Sequence, residues 1–510
     1  MSSNKQIAKN LILNVGVFFI NLGINFFLSP YIIRTLGREM YGFSTLITSL
    51  VGYTSIITTA FGSMAGRFIT QAYYKGYKEK ADGYCNSVFF ANWILSLIFS
   101  VVFLFLVVYL DKVLTIPSES VSTVRWMLIL TVINALIALN SGLFGIGTYI
   151  KNRVDISSVQ NLFTYVLYAL CVVILFWAFK PNILYLCFAT LLSGTVNAGI
   201  NIRLKKKLIP ELHYSPLQKY DWKKIWRLFS SGLWNSVNQL SNLLLNQLDL
   251  LIANVFIGAA AMGDYAVVKI FPNLIYSLLG TLSGTFTPHF NILYAKEKRG
   301  ELTIEIKKAM KIVAYLICIP LGFLIVFGQD FFALWVPSMD ARYLYLLSVI
   351  TLVPMIIGAS INPIFGVFTI TNKLRIPSLV LFVFGVANTV GVLILVKTTN
   401  LGLWSIPIVG GILHAFRNFF FSPSYAAKVL NLPLLTFYPT VFRGCLSLGV
   451  VVLMGLFLHR ILPLGNWYYL IGTGILLTLL SLGVNLFLFF NREERKSLRA
   501  FVTNIAGKFK

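Results

Sequence analysis

The most polar of the long apolar runs carries amides at helical period. In WRLFSSGLWNSVNQLSNLLLNQLDLLIANVFIG, the residues Asn235, Asn238, Gln239, Asn242, Asn246 and Asp249 fall on one face of a helix. They extend over about 21 Å at 1.5 Å per residue. Asn10, Asn14, Asn21 and Asn25 form a matching stripe near the N-terminus. A carboxamide both donates and accepts, so such a stripe suits either a hydroxyl-bearing ligand or a neighbouring helix. Helix pairing needs only one or two amides. A stripe of this length therefore predicts a water-filled cavity.

Charge decides what such a cavity would hold. Lys269 and Arg417 fall inside apolar runs, and Arg34 closes the far end of the first one, where it serves the cavity or anchors at the interface. A central Lys or Arg costs roughly 2.5–3.5 kcal/mol in a membrane, which calls for a partner or a function. Asp249 is the one acid placed well inside a run; it is open to pairing with Lys269 or to serving as an ion-coupling group. The balance is cationic. Amide donors with excess positive charge favour an anionic, hydroxyl-rich ligand, such as a sugar carrying phosphate or diphosphate, and disfavour organic cations. His213, His289, His414 and His459 sit in the connector or at helix ends and read as incidental. Cys85, Cys171, Cys187, Cys318 and Cys445 have no metal-ligand spacing and read as packing residues. There is no H-E-x-x-H, G-x-S-x-G or Walker-type loop, so neither catalysis nor a metal or other cofactor is expected.

These residues need membrane helices to position them. Of the 510 residues 57% are hydrophobic and only 12% charged, with mean hydropathy +0.80, too apolar for a water-facing surface. Spans of about 20 apolar residues can be laid fourteen times along the chain, from 11–34 to 466–490. The runs are continuous and not alternating, which predicts helices over strands. The first is too long for the core of a signal peptide and is expected to stay as helix one. The net charge of +25 follows topology, not nucleic acid: with both termini inside, 33 of 42 Lys and Arg fall on the inner side, as the positive-inside rule requires.

The chain also repeats itself. Asn14, Asn21, Asn25, Gly37 and Gly42 recur as Asn235, Asn242, Asn246, Gly258 and Gly263, all at an offset of 221 residues. Leu143-Phe144-Gly145 and Ile364-Phe365-Gly366 share that offset, as do Ser157 and Ser378. The expected fold class is all-α integral membrane, with two pseudo-symmetric six-helix lobes plus a C-terminal helix pair. The expected divisions are 1–204, a basic cytoplasmic connector 205–227, a second lobe 228–427, and 428–510 with a basic tail. Parallel repeats of this kind usually hold substrate between the halves.

Residues 30–42, P-Y-I-I-R-T-L-G-R-E-M-Y-G, carry a local motif in Pro30, Arg34, Gly37, Tyr41 and Gly42. With the two six-helix halves and the final pair, the chain resembles the Wzx-type polysaccharide-biosynthesis flippases (O-antigen or capsule repeat units) of the multidrug/oligosaccharidyl-lipid/polysaccharide exporter superfamily. The resemblance implies a multi-pass protein of the bacterial inner membrane. Its cargo would be a polyprenyl-diphosphate-linked oligosaccharide, moved to the outer leaflet by alternating access, with H+ or Na+ coupling. Membrane lipids and polysaccharide polymerase machinery would be its partners. By position it carries the cationic cavity onto Arg34 and Lys269 and the intramembrane acid onto Asp249. The rivals are a drug or organic-cation antiporter of the same superfamily, which calls for more intramembrane acids, and a lipid-II-type peptidoglycan-precursor flippase. A polyprenyl glycosyltransferase, polymerase or ligase would need a sizeable outer loop, and the sequence leaves room for none.

Overall fold

A computed structural model describes the chain apart from residues 1–2, 152, 213–219, 372, 463–464, 493–494 and 496–510, and apart from the side chains of 3–15, 18, 63, 149, 154 and 288. The side chains of Asn10 and Asn14, and all of His213, therefore lie outside the described residues. The fold is helical, with no strand among the described residues. Helices are the expected solution in lipid, where each backbone N–H and C=O must be satisfied within its own segment.

Among the described residues eleven helices are long and apolar enough to cross a membrane, or twelve if Arg38–Gly52 and Ser55–Tyr74, bent by 46°, form one span. Helices Ser3–Leu36 and 405–429 lie along the two remaining expected spans. Only 11% of the best apolar window in Asp155–Ala178 is buried against protein, so lipid must cover the rest. Cys85, Cys187 and Cys318 are buried, and Cys171 and Cys445 are half-buried, all as free thiols.

The chain divides into two compact units. Unit 1 comprises residues 1–267 with 378–389. Its helices are α1 (Ser3–Leu36), α2 (Arg38–Gly52), α3 (Ser55–Tyr74), α4 (Lys78–Val108), α5 (Val121–Gly142), α6 (Val154–Ala178), α7 (Leu184–Leu208), α8 (Trp222–Asn246) and α9 (Ala259–Val268). Helix α1 packs on α6, α6 on α7, α7 on α5, and α5 on both α2 and α4. Helix α8 lies along α3, brought close by Gly232, where a Cβ would collide with the Ala60 carbonyl. Asp221 caps α8 by accepting from the Lys223 N–H at 2.8 Å. Lys205, Lys206 and Lys207 in the last turn of α7 complement its dipole.

Unit 2 comprises 268–377 with 390–510. It holds α10 (Ile270–Gly284), α11 (Arg299–Trp335), α12 (Ala341–Leu352), the ends of α13 (Arg375–Thr398), α14 (Ser405–Phe416), α15 (Tyr438–Ile461) and α16 (Trp467–Phe489). Helix α11 is the most enclosed span, packed by α12, α15 and α16. Asp340 and Asn466 cap α12 and α16 through the Tyr343 and Tyr469 N–H groups.

Candidate functional site

In unit 1, helices α1, α5, α6 and α7 surround a cavity of about 350 Å³. Asn21 and Asn25 face it from α1, Asn134 from α5, Thr164, Tyr165 and Tyr168 from α6, and Thr190, Ser193 and Asn197 from α7. That volume is within the range of ligand cavities, at its small end. None of the lining side chains carries a formal charge, so the surface offers neutral donors and acceptors only.

The lining is held by hydrogen bonds. Asn25 Nδ2 donates to Asn21 Oδ1 at 2.6 Å and to the Asn21 carbonyl at 2.9 Å, fixing two amides one helical turn apart. Gln160 Nε2 donates to Asn197 Oδ1 at 2.5 Å and to Asn201 Oδ1 at 2.9 Å, joining α6 to α7 behind the wall. Gly194 leaves room for the Asn134 carboxamide, which a Cβ at that position would strike. Asn134 Oδ1 is buried against Gly194 with no hydrogen-bond partner among the described residues.

The other expected residues lie elsewhere. Asn235 and Asn246 are half-buried on α8 and Asn242 is exposed; none lines this cavity. One member of that stripe, Gln239, is taken up by packing, since its Nε2 donates to Ser55 Oγ on α3 at 2.9 Å. Asp249 is buried, just past a break after α8, in the short helix Asp249–Ile252. Arg34 is exposed in the last turn of α1.

Lys269 and Arg417 belong to unit 2. Lys269 is half-buried at the junction that leads into α10. Arg417 opens a π-helical turn, Arg417–Phe421, that widens the helix after α14. Its Nε and Nη2 donate to Asn418 Oδ1 at 3.1 and 2.7 Å, and its guanidinium lies 6.0 Å from the Phe365 ring. One turn earlier, His414 sits 6.4 Å from the Tyr276 ring. π turns recur at functional sites because they re-aim side chains out of the regular ladder.

Asn134, Thr164, Tyr165, Tyr168, Thr190, Ser193 and Asn197 had not been singled out from sequence. Each helix contributes only a few of them, and isolated polar residues of that kind read as ordinary interhelical partners.

The sequence pattern of the polysaccharide biosynthesis protein family matches residues 7–292, and the chain belongs to that family. Its helical membrane fold is shared with solved transporter and flippase structures. A protein described as uncharacterized membrane protein EpsK, from Bacillus subtilis (strain 168), is 28% identical over 489 residues, covering 96% of each chain. Among solved structures, the lipid II flippase MurJ in an inward closed conformation aligns with TM-score 0.67 and 12% identity, over 93% of this chain and 99% of that one. An inward-facing multidrug resistance MATE family transporter aligns with TM-score 0.61 and 16% identity, over 82% of this chain and 99% of that one.

Proposed function

We propose that this protein flips a polyprenyl-diphosphate-linked oligosaccharide repeat unit from the cytoplasmic to the outer leaflet by alternating access. The observation that carries the reading is the neutral amide and hydroxyl cavity of unit 1, found in a member of a polysaccharide-biosynthesis family. Amides replace water around glycan hydroxyls as the head leaves the aqueous phase. The absence of any carboxylate among the lining residues disfavours an organic-cation cargo, which needs a counter-charge. A cavity of this size takes part of a glycan head, with the lipid tail left in the bilayer.

The diphosphate is assigned to the basic side chains Arg34, Lys269 and Arg417, and the remaining hydroxyls to Asn14, Asn235, Asn242 and Asn246. Asp249 is the candidate for H+ or Na+ coupling. The proposal retains the two repeat-related lobes, 1–204 and 228–427, the connector 205–227 and the terminal segment 428–510. It places the chain in the bacterial inner membrane with both termini cytoplasmic, in keeping with the basic last turn of α7. The polysaccharide polymerase machinery is the proposed downstream partner.

The test is translocation in proteoliposomes. The wild-type protein should expose a labelled polyprenyl-diphosphate oligosaccharide on the opposite leaflet, and Lys269→Ala should slow this about tenfold, equivalent to about 1.4 kcal/mol, with normal protein yield. Efflux of cationic dyes without glycan-lipid movement would identify an antiporter instead. Movement of lipid II alone would identify a peptidoglycan-precursor flippase.

A further inference from the structure

The hydrogen-bonding sense of the unit 1 cavity narrows what it can hold. Thr164 on α6 and Thr190 and Ser193 on α7 all line it. Thr164 Oγ1 donates to the Asn161 carbonyl at 2.9 Å, Thr190 Oγ1 to the Leu186 carbonyl at 2.8 Å, and Ser193 Oγ to the Thr190 carbonyl at 3.0 Å. A hydroxyl has one proton, and in all three residues it is committed to the residue's own helix. What these side chains offer a ligand is therefore lone pairs.

Such a wall sorts ligands by charge. A sugar hydroxyl donates to an oxygen of this kind while it accepts from a neighbouring amide NH2. An ionised carboxylate or phosphate oxygen can only accept, so it meets lone pair against lone pair. No cation stands among the described lining residues to answer its charge. An ion taken out of water into that setting is strongly disfavoured.

Size and shape agree. The volume of about 350 Å³ equals about a dozen waters at about 30 Å³ each, room for about one or two pyranose rings. The lining runs from the exposed Asn25, Tyr165 and Thr190 at the mouth to Ser193, which is buried. Tyr165 is 40% exposed, with Tyr168 one turn further along α6. The face of an aromatic ring is its negative side and suits the C–H bonds on the flat side of a sugar.

We propose that this cavity is a subsite for one uncharged sugar ring of the cargo, with Thr164, Thr190 and Ser193 as its specificity-determining acceptors and Tyr165 as its stacking face. An acidic sugar such as a hexuronate is turned away, and the diphosphate stays outside with the basic side chains. The proposal deepens the flippase reading above and rests on it for the source of the sugar.

The full-length protein in phosphatidylcholine nanodiscs, free of sugar-headed detergent, is titrated at neutral pH with matched soluble probes. These are the methyl glycosides of glucose, galactose and mannose, each beside its hexuronic acid, with binding read by ligand-observed NMR. At least one neutral hexoside should bind about tenfold more tightly than its hexuronide. Thr164→Val with Thr190→Val keeps side-chain shape and removes two acceptors; it should weaken hexoside binding about tenfold, roughly threefold per hydrogen bond. Thr190→Lys should reverse the preference, because its ammonium supplies the missing cation. Equal affinity of wild type for hexoside and hexuronide, or no binding of any hexoside, overturns the subsite. So does a valine pair that binds as wild type does at an unchanged melting temperature. If the valine pair melts early, the wild-type ratio of hexoside to hexuronide decides alone. Hexoside binding without glycan-lipid movement in proteoliposomes refutes the flippase reading and keeps the subsite, whereas glycan-lipid movement without hexoside binding refutes the subsite alone.

Discussion

Gly42 and Gly263 touch: a methyl group added to Gly42 would lie 2.9 Å from the Cα of Gly263. The two occupy the same place in the 221-residue repeat, so a position meets its own copy, as happens on a two-fold axis. Two helices cross there backbone against backbone, with the end of the Met262 side chain alongside. Gly37 and Gly258, another repeat-related pair, both hold positive φ, at 85° and 133°, where other residues are strained. The repeat therefore preserves a backbone requirement: a left-handed turn, then a bare helix face. Adding a Cβ at Gly263 is the harsher change, because it meets the Arg38 carbonyl at 2.6 Å and backbone cannot swing aside. Gly263→Ala should destabilise by about 1–3 kcal/mol and Gly42→Ala by less, since one of its obstacles is the flexible end of Met262. Thermal melts in detergent rank the two; a reversed order would place the crossing elsewhere.

Beside that crossing, Arg38 Nη1 contacts Asp264 Oδ1 at 2.8 Å. Close by in the same unit, Asn254 clasps the backbone of Thr115, accepting from its N–H at 2.9 Å and donating to its carbonyl at 3.1 Å. Together these tie the segment around α9 to α2 and to the loop after α4. Any opening at this end must release them. With Arg38 half-exposed, the pair's own coupling should be small, about 0.2–1 kcal/mol in a double-mutant cycle. The kinetic effect is the sharper readout. Arg38→Cys with Asp264→Cys should cross-link under oxidation and stop translocation, and reductant should restore it. Undiminished movement in the cross-linked protein would show that this end never opens.

The spans were legible because lipid leaves no alternative to a long apolar helix, and the glycines because a repeat shows twice what one backbone needs. Breaks within spans were not legible. The π turns at Ala253–Ile257 and Arg417–Phe421, and the junction at Lys269, arise where packing pulls a ladder out of register, and no local residue type announces that. The cavity divides the same way. Asn21 and Asn25 stand out by period on one helix, whereas Asn134, Tyr168 and Asn197 become neighbours only through the packing of three others. Period alone also misleads: Gln239 belongs to the α8 stripe by spacing, yet its amide is spent on Ser55.

Asp111, in the short helix between α4 and α5, accepts from Arg125 Nη2 at 2.8 Å. A hydrogen bond from its own backbone N–H, then the Arg125 guanidinium, hold its carboxyl below the usual range. The folded value is lowered, so the stabilisation is present above the unfolded value, about 3.9, and is lost as pH falls through the folded one. Asp111→Asn should therefore change the melting temperature by the same small amount from pH 5 to pH 8. The difference should shrink only below about pH 4. A slope across pH 5–8 would mean that another group titrates against this pair.

The neutrality of the unit 1 cavity makes the last prediction. Asn25 donates to Asn21 Oδ1 at 2.6 Å, so Asn25→Asp replaces a donor with an acceptor and Asn21 must turn its own NH2 inward to answer it. Packing is nearly unchanged, because the two side chains are isosteric, but the cavity gains a negative charge that faces any approaching diphosphate sugar. At pH 8 the carboxylate is ionised, and translocation of the glycan lipid should fall about tenfold, a cost of about 1.4 kcal/mol for one unfavourable charge at partly screened distance. Protonating the carboxylate at lower pH makes the lining neutral again, and the rate should recover as it does so. The informative quantity is the ratio of variant to wild-type rate at each pH, which removes any dependence of wild type on the proton gradient. A ratio that stays near one at both values would mean that the cargo head never enters this cavity, and the amides of Asn21 and Asn25 would then be structural ties between turns of α1.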